Sequence, residues 1–155
     1  GHSSVVQVLV EAKASIDPSD ECHKTPLFCA TEKGQIEAVK ALINAKAKLQ
    51  VKDQYGRCLL HLPVARNYIT VVQLLLDAKT AIDVPAHPPY WSLLHEAADM
   101  GYDAIVEALV DARANVDAMD ASQKTPLHYA AEKGHRAVVQ ILADADIPAQ
   151  KKEGI

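Results

Sequence analysis

One short phrase recurs four times along this chain: Thr25-Pro26-Leu27-Phe28, Cys58-Leu59-Leu60-His61, Ser92-Leu93-Leu94-His95 and Thr125-Pro126-Leu127-His128. The four starts lie 33, 34 and 33 residues apart. A second marker keeps the same interval: Gly1, Gly34, Asn67, Gly101 and Gly134. A fixed period of this size means an array of stacked units, because one unit is too small to bury its own apolar face. Fold and role therefore follow from the repeat and not from any single residue.

The last copy shows how a unit is built. Thr125 is a good helix N-cap, since its hydroxyl can accept a bond from a free backbone N–H of the first turn. Pro126 then takes the first helical position, where its missing N–H costs nothing. Leu127, Ala130 and Ala131 give a short helix one apolar side, and Gly134 supplies the left-handed stop. A second helix follows with Val138, Val139, Ile141 and Leu142. By the same reading, helix pairs are expected at 26–33 with 36–45, 59–66 with 69–78, 93–100 with 103–112, and 126–133 with 136–144. Segment 3–12 reads as a second helix whose first helix is missing, so the chain is either a fragment of a longer array or has a frayed first helix. Polar Arg136, Gln140 and Asp144 suit the last helix to a capping role.

The run Lys124-Thr125-Pro126-Leu127-His128-Tyr129-Ala130-Ala131-Glu132-Lys133-Gly134-His135, with Val138-Val139 and Ile141-Leu142 after it, resembles an ankyrin repeat. The resemblance covers about residues 1–148. It implies an all-α solenoid of stacked helix-turn-helix units with projecting hairpin loops, about four and a half repeats in a single domain over 1–155. The expected division is a partial repeat at 1–19, repeats at about 20–52, 53–86, 87–119 and 120–148, and a tail at 149–155. Linkers ending in Asp17, Asp53, Asp83, Asp117 and Asp120 would form the projecting hairpins. Small residues at Ala30, Ala97, Ala98, Ala130 and Ala131 would let helices approach closely, around leucines such as Leu60, Leu94 and Leu127.

Composition excludes several roles. Aromatic residues make up 5% of the chain and apolar residues 49%, which fits a core of Ala, Leu, Val and Ile. A net charge of −4 gives no general attraction to phosphate backbones, so nucleic acid is not an expected partner. No apolar run is long enough to span a membrane, and no leader peptide is legible. Three cysteines without framework spacing point to reduced thiols and an intracellular, cytoplasmic setting. The chain is expected to be monomeric.

Three departures from the repeat stand out. Pro63 falls within an expected first helix, where an interior proline costs about 3 kcal/mol and should shorten or distort it. One extra residue enters the stretch Val84-Pro85-Ala86-His87-Pro88-Pro89, whose prolines stiffen that hairpin. The slot after each second helix, usually Gly in the family, holds Lys13, Lys46, Lys79, Arg113 and Asp146. The basic residues suit the negative end of a helix dipole, at the cost of a side chain where a left-handed backbone is common.

Members of this family bind partners with their hairpin tips and the exposed side of their first helices. Aligning the repeats gives a tip row Lys24, Arg57, Trp91, Lys124, a helix row Lys33, Arg66, Met100, Lys133, and beside it Glu32, Ala65, Asp99, Glu132. Cys22, Tyr55, Pro89 and Ser122 flank the tip row, and Tyr90 takes a slot that is often Gly. The outer repeats are generic, whereas the middle two carry Tyr55, Arg57, Arg66, Tyr90, Trp91 and Met100. Aromatic residues and arginine are enriched in binding hot spots. These six are the expected partner-binding residues, with the basic rows favouring acidic groups on a protein or peptide. The competing reading has Trp91 folded over Pro88-Pro89 as a plug, and the acidic row merely neutralising the basic one.

His61, His95 and His128 repeat once per unit and cannot converge on one metal, because neighbouring units sit roughly 10 Å apart. The resemblance implies a structural role for them, bonding to hairpin backbone. Cys22, His23 and Cys29 match no zinc spacing, and Cys58 replaces a capping Thr. No nucleophile elbow, phosphate loop or metalloprotease motif occurs. No catalytic residue, metal or cofactor is therefore expected. The reading is a non-enzymatic protein-interaction module. Its alternatives are a structural spacer in a longer array, a regulatory or targeting domain of a larger enzyme or channel, and a library-derived repeat protein, the last disfavoured by these irregularities.

Overall fold

The computed structural model describes residues 15–82 and 91–145. Among these residues there are eight helices and no strand, only an isolated antiparallel bridge between Lys52 and Cys58. The chain divides into two compact units, Gly1–Ala81 and Ile82–Ile155. The first holds α1 (Pro26–Glu32), α2 (Ile36–Asn44), α3 (His61–Ala65) and α4 (Ile69–Asp77). The second holds α5 (Leu93–Met100), α6 (Asp103–Asp111), α7 (Pro126–Lys133) and α8 (Arg136–Ala145). In each unit two helical hairpins stack in register: α1 on α3 and α2 on α4 in the first, α5 on α7 and α6 on α8 in the second. The expected all-α stacking is what the chain adopts. Among the described residues no helix is long and apolar enough to cross a membrane.

Termination follows the sequence, and capping does so at Thr25 and Ser92, whereas at Thr125 the His128 N–H goes to the backbone carbonyl at 3.0 Å and the hydroxyl meets His128 Nδ1 at 2.9 Å. Thr25 and Ser92 sit in extended backbone and accept the N–H of the residue three positions on, Phe28 and His95 respectively, both at 3.3 Å. Each helix from α1 to α7 ends in a paired motif of the Schellman type, in which the residue beyond the left-handed position bonds back to a carbonyl five residues earlier. Gln35 to Ala30 and Ala47 to Leu42 are examples, both at 3.0 Å. Gly34, Gly101 and Gly134 take the left-handed conformation easily, but Asn67 must take it with a side chain. So must Lys46, Lys79 and Arg113, with φ of 66°, 61° and 67°. The basic residues in the expected Gly slot thus carry the backbone strain anticipated for them. Lys13 and Asp146 lie outside the described residues, as do segment 3–12, Asp83 and the proline-rich stretch from Val84.

Pro63 needs a correction. The helix that was expected from Leu59 starts at His61, so Pro63 lies in its first turn. N–H groups there have no helical acceptor in any case, and the missing donor is harmless. What remains of the expected distortion is length: α3 has 5 residues, entered through a turn in which His61 N–H bonds to Cys58 C=O.

The core is aliphatic. Leu27, Leu60, Leu75, Ile105 and Leu109 are fully buried, and each such side chain contributes about 1.5–3 kcal/mol by leaving water. Ala97, Ala98 and Ala130 are fully buried and permit the close approach expected of them, whereas Ala131 is exposed and Leu127 only half-buried. No helix among the described residues covers that side of α7.

Candidate functional site

Three turns share one construction. In Asp20–Lys24, Asp53–Arg57 and Asp120–Lys124 the aspartate N–H donates to the carbonyl four residues on. Its own carbonyl accepts the N–H three residues on, and its Oδ1 accepts two more backbone N–H groups. Those last bonds run from Cys22 and Lys24 at 2.9 and 2.8 Å, from Tyr55 and Arg57 at 2.9 and 3.0 Å, and from Ser122 and Lys124 at 2.8 and 2.9 Å. The fourth residue is left-handed every time: His23 at φ 62°, Gly56 at 74°, Gln123 at 60°. These turns are preordered by their own hydrogen bonds. The sequence pointed to Asp53 and Asp120, but Asp20 went unremarked. Asp17 serves differently, accepting Lys48 N–H at 2.9 Å.

The basic residue closing each turn needs an anion, and the first helix decides which. Lys24 reaches Glu32 at 2.7 Å, and Lys124 reaches Glu132 at 2.6 Å. Arg57 faces the repeat in which that slot is Ala65, and folds back onto Asp53 instead. Its Nε and Nη2 lie 2.8 and 2.7 Å from Asp53 Oδ2. Burial alone would raise the Asp53 carboxyl, but the guanidinium and the two backbone donors outweigh it and hold it below the usual carboxylate range. The Arg57 guanidinium also stacks over Tyr55, 4.9 Å from the ring centroid, and Tyr55 is 54% exposed. Arg66 donates to the Glu32 backbone carbonyl and lies 3.7 Å from its carboxylate. The Lys24 hydrogen bond, opposed by partial burial, holds Glu32 below its ordinary value.

The second unit replaces the tip cation with Trp91. Its Nε1–H donates to Glu96 Oε2 at 2.7 Å, its ring meets Tyr129 edge-on at 4.7 Å, and it tilts over His95 at 5.4 Å. The indole is half-buried: neither sealed in the core nor free in solvent. Tyr129 donates to Asp120 Oδ2, and that bond to an anion pushes the phenol up to about 12. Lys124 Nζ lies 5.3 Å from the Tyr129 ring centre. Met100 is 47% exposed, and Lys133 stands 3.7 Å from Asp99. Of the six expected site residues, Tyr55, Arg57 and Arg66 fall in the first unit and Trp91 and Met100 in the second. Tyr90 lies outside the described residues. The sequence reading passed over Met119, which is 61% exposed in a linker.

The bond to hairpin backbone that the repeat implied is made by His95, whereas His61 Nε2 is buried without a hydrogen-bond partner among the described residues. His95 Nδ1 accepts Ser92 N–H at 3.2 Å, so its proton sits on Nε2 and is donated to the Lys124 carbonyl of the next repeat at 3.0 Å. The Nδ1 atoms of His128 and His61 likewise accept Thr125 N–H at 3.1 Å and Cys58 N–H at 3.0 Å. The Cys58 thiol, 3.1 Å from that same His61 nitrogen, is buried and pushed up by desolvation, which suppresses the thiolate a nucleophile needs. Cys29 is half-buried and likewise raised by burial. Among the described residues no three His, Cys, Asp or Glu side chains gather as a metal site requires.

No curated protein matches this chain. The family model described as "Ankyrin repeats (3 copies)" matches residues 1–87 and again residues 81–152.

Proposed function

The chain belongs to the ankyrin repeat family, and on that premise we propose that it is a non-enzymatic module that binds a partner protein or peptide through its turn tips and the exposed sides of its first helices. Repeats of this family are generally protein–protein interaction modules and typically have no catalytic role. The observation that carries the proposal is the Asp53–Arg57 tip. An exposed tyrosine and an arginine are held there in one geometry by a buried carboxylate. A preordered aromatic–arginine pair loses little entropy on binding, so few contacts give useful affinity.

Tyr55, Arg57, Arg66, Tyr90, Trp91 and Met100 are the residues we assign to the partner. Acidic groups of that partner would meet the first unit, where Lys24, Arg57 and Arg66 stand against Glu32 and Asp53. Arg66–Glu32 and Lys133–Asp99 join one repeat to the next, which favours a stacking role for the helix-row cations and leaves recognition to Arg57. The whole chain is read as one domain with repeats at about 20–52, 53–86, 87–119 and 120–148. Free thiols at Cys22, Cys29 and Cys58 fit an intracellular setting. Affinity capture followed by calorimetry tests the reading. A partner recovered by the wild-type chain should bind a folded Tyr55→Ala/Arg57→Ala variant about tenfold or more weakly; unchanged affinity removes the site.

A further inference from the structure

The carboxylates on the exposed face of the second unit are not equivalent. Glu132 is held by Lys124 at 2.6 Å, and Asp99 lies 3.7 Å from Lys133. Asp120 is taken up by backbone N–H groups and the Tyr129 hydroxyl. Neither Asp120 nor Glu96 has a cation in contact among the described residues, but Asp120 is met by three donors and Glu96 by one. Its Oε2 accepts the Trp91 indole N–H at 2.7 Å, a neutral donor that fixes the carboxylate without cancelling its charge. One turn along α5, Met100 lies on the same side of the helix and is 47% exposed.

We propose that Trp91, Glu96 and Met100 form a subsite for a basic side chain, an arginine or lysine in a peptide segment of the partner. This rests on the protein-binding reading and adds to it a second, oppositely charged anchor. The charge would lie against the Glu96 carboxylate and the half-exposed indole, whose face attracts cations. The aliphatic stem would run over the Met100 thioether, which adapts its shape to such chains. A cation already rests on this aromatic cluster, since Lys124 Nζ sits 5.3 Å from the centre of the Tyr129 ring that Trp91 contacts. In the two described repeats of the first unit a cation, Lys24 or Arg57, stands at the tip position instead.

Trp91 is the only tryptophan, so its emission reports on the subsite directly. The probes are two synthetic peptides, acetyl-(Arg-Gly)4-amide and acetyl-(Glu-Gly)4-amide, titrated into the full chain at low salt. The arginine peptide should quench or shift the emission saturably, and the glutamate peptide should not. Glu96→Gln keeps an acceptor for the indole and removes only the charge; it should weaken the arginine peptide about tenfold. Asp111→Asn, an exposed carboxylate elsewhere in the second unit, should leave it within about twofold. Wild-type affinity in Glu96→Gln, an equal loss in Asp111→Asn, or an equal response to the glutamate peptide would each overturn the subsite. Those results leave the protein-binding reading standing, because that reading is tested separately at Tyr55 and Arg57.

Discussion

Arg57 delivers both its Nε and its Nη2 to a single oxygen of Asp53, at 2.8 and 2.7 Å, while the other oxygen of that carboxylate holds the turn backbone. The two residues therefore play unequal parts. Asp53→Ala leaves two turn N–H groups and a guanidinium without their acceptor, and should destabilise the chain by about 2 kcal/mol. Arg57→Ala leaves the turn bonds in place and should cost about 1 kcal/mol or less. Urea unfolding of both variants measures the difference; equal losses would mean the carboxylate does not organise the tip.

Two glycines with almost the same backbone should respond differently to alanine. Gly101 and Gly134 have φ of 71° and 74°, so both pay for a left-handed side chain. A Cβ on Gly101 would lie 2.6 Å from the His135 ring, whereas one on Gly134 meets nothing within 4 Å. His135 cannot retreat freely, because its Nε2 bonds to the Asp99 carbonyl at 2.9 Å. Gly134→Ala should cost about 1 kcal/mol and Gly101→Ala about 2–3 kcal/mol. Thermal melts of the two variants provide the comparison.

The strained helix ends predict gains. Replacing Lys46, Lys79 or Arg113 by glycine removes a side chain from a left-handed residue. Each substitution should add roughly 0.5–1 kcal/mol, and the three should be nearly additive because they lie in separate repeats. Chemical denaturation of the single and triple variants checks both the sign and the additivity.

Acid sensitivity should begin at His61. Burial lowers this imidazole from 6.5 to about 4 in the folded chain. The unfolded chain then binds the proton more readily, so the stability from neutral His61 is complete above about pH 6.5 and lost as pH falls toward 4. Asp53 and Glu32, held below their ordinary values, lose their contribution only in a lower window. Melting temperature followed from pH 7 to pH 4 should fall in wild type and stay flatter in His61→Gln.

Much of this architecture was legible because the chain punctuates itself. The repeated starts and stops fixed the helix limits to within one residue in every pair but one. The exception is α3, expected from Leu59 and starting at His61, which puts Pro63 in its first turn. The left-handed residues His23 and Gln123 could not be read, since neither is glycine; the aspartates that hold their turns form bonds visible only in three dimensions. Alignment also gave the tip and helix rows without saying where side chains point. The row containing Ala65 explains why Arg57 turns back to Asp53, but the link from Trp91 to Glu96 and Tyr129 depends on rotamers and on contacts with the next repeat.

The most direct test of the binding claim is hydrogen exchange on the full chain with and without a recovered partner. Added protection should concentrate in residues 53–57 and 91–100, with the second helices α2 and α6 unchanged. Protection confined to those second helices, or absent from both tips while the complex is saturated, would contradict the assignment of the tips and first helices as the binding face.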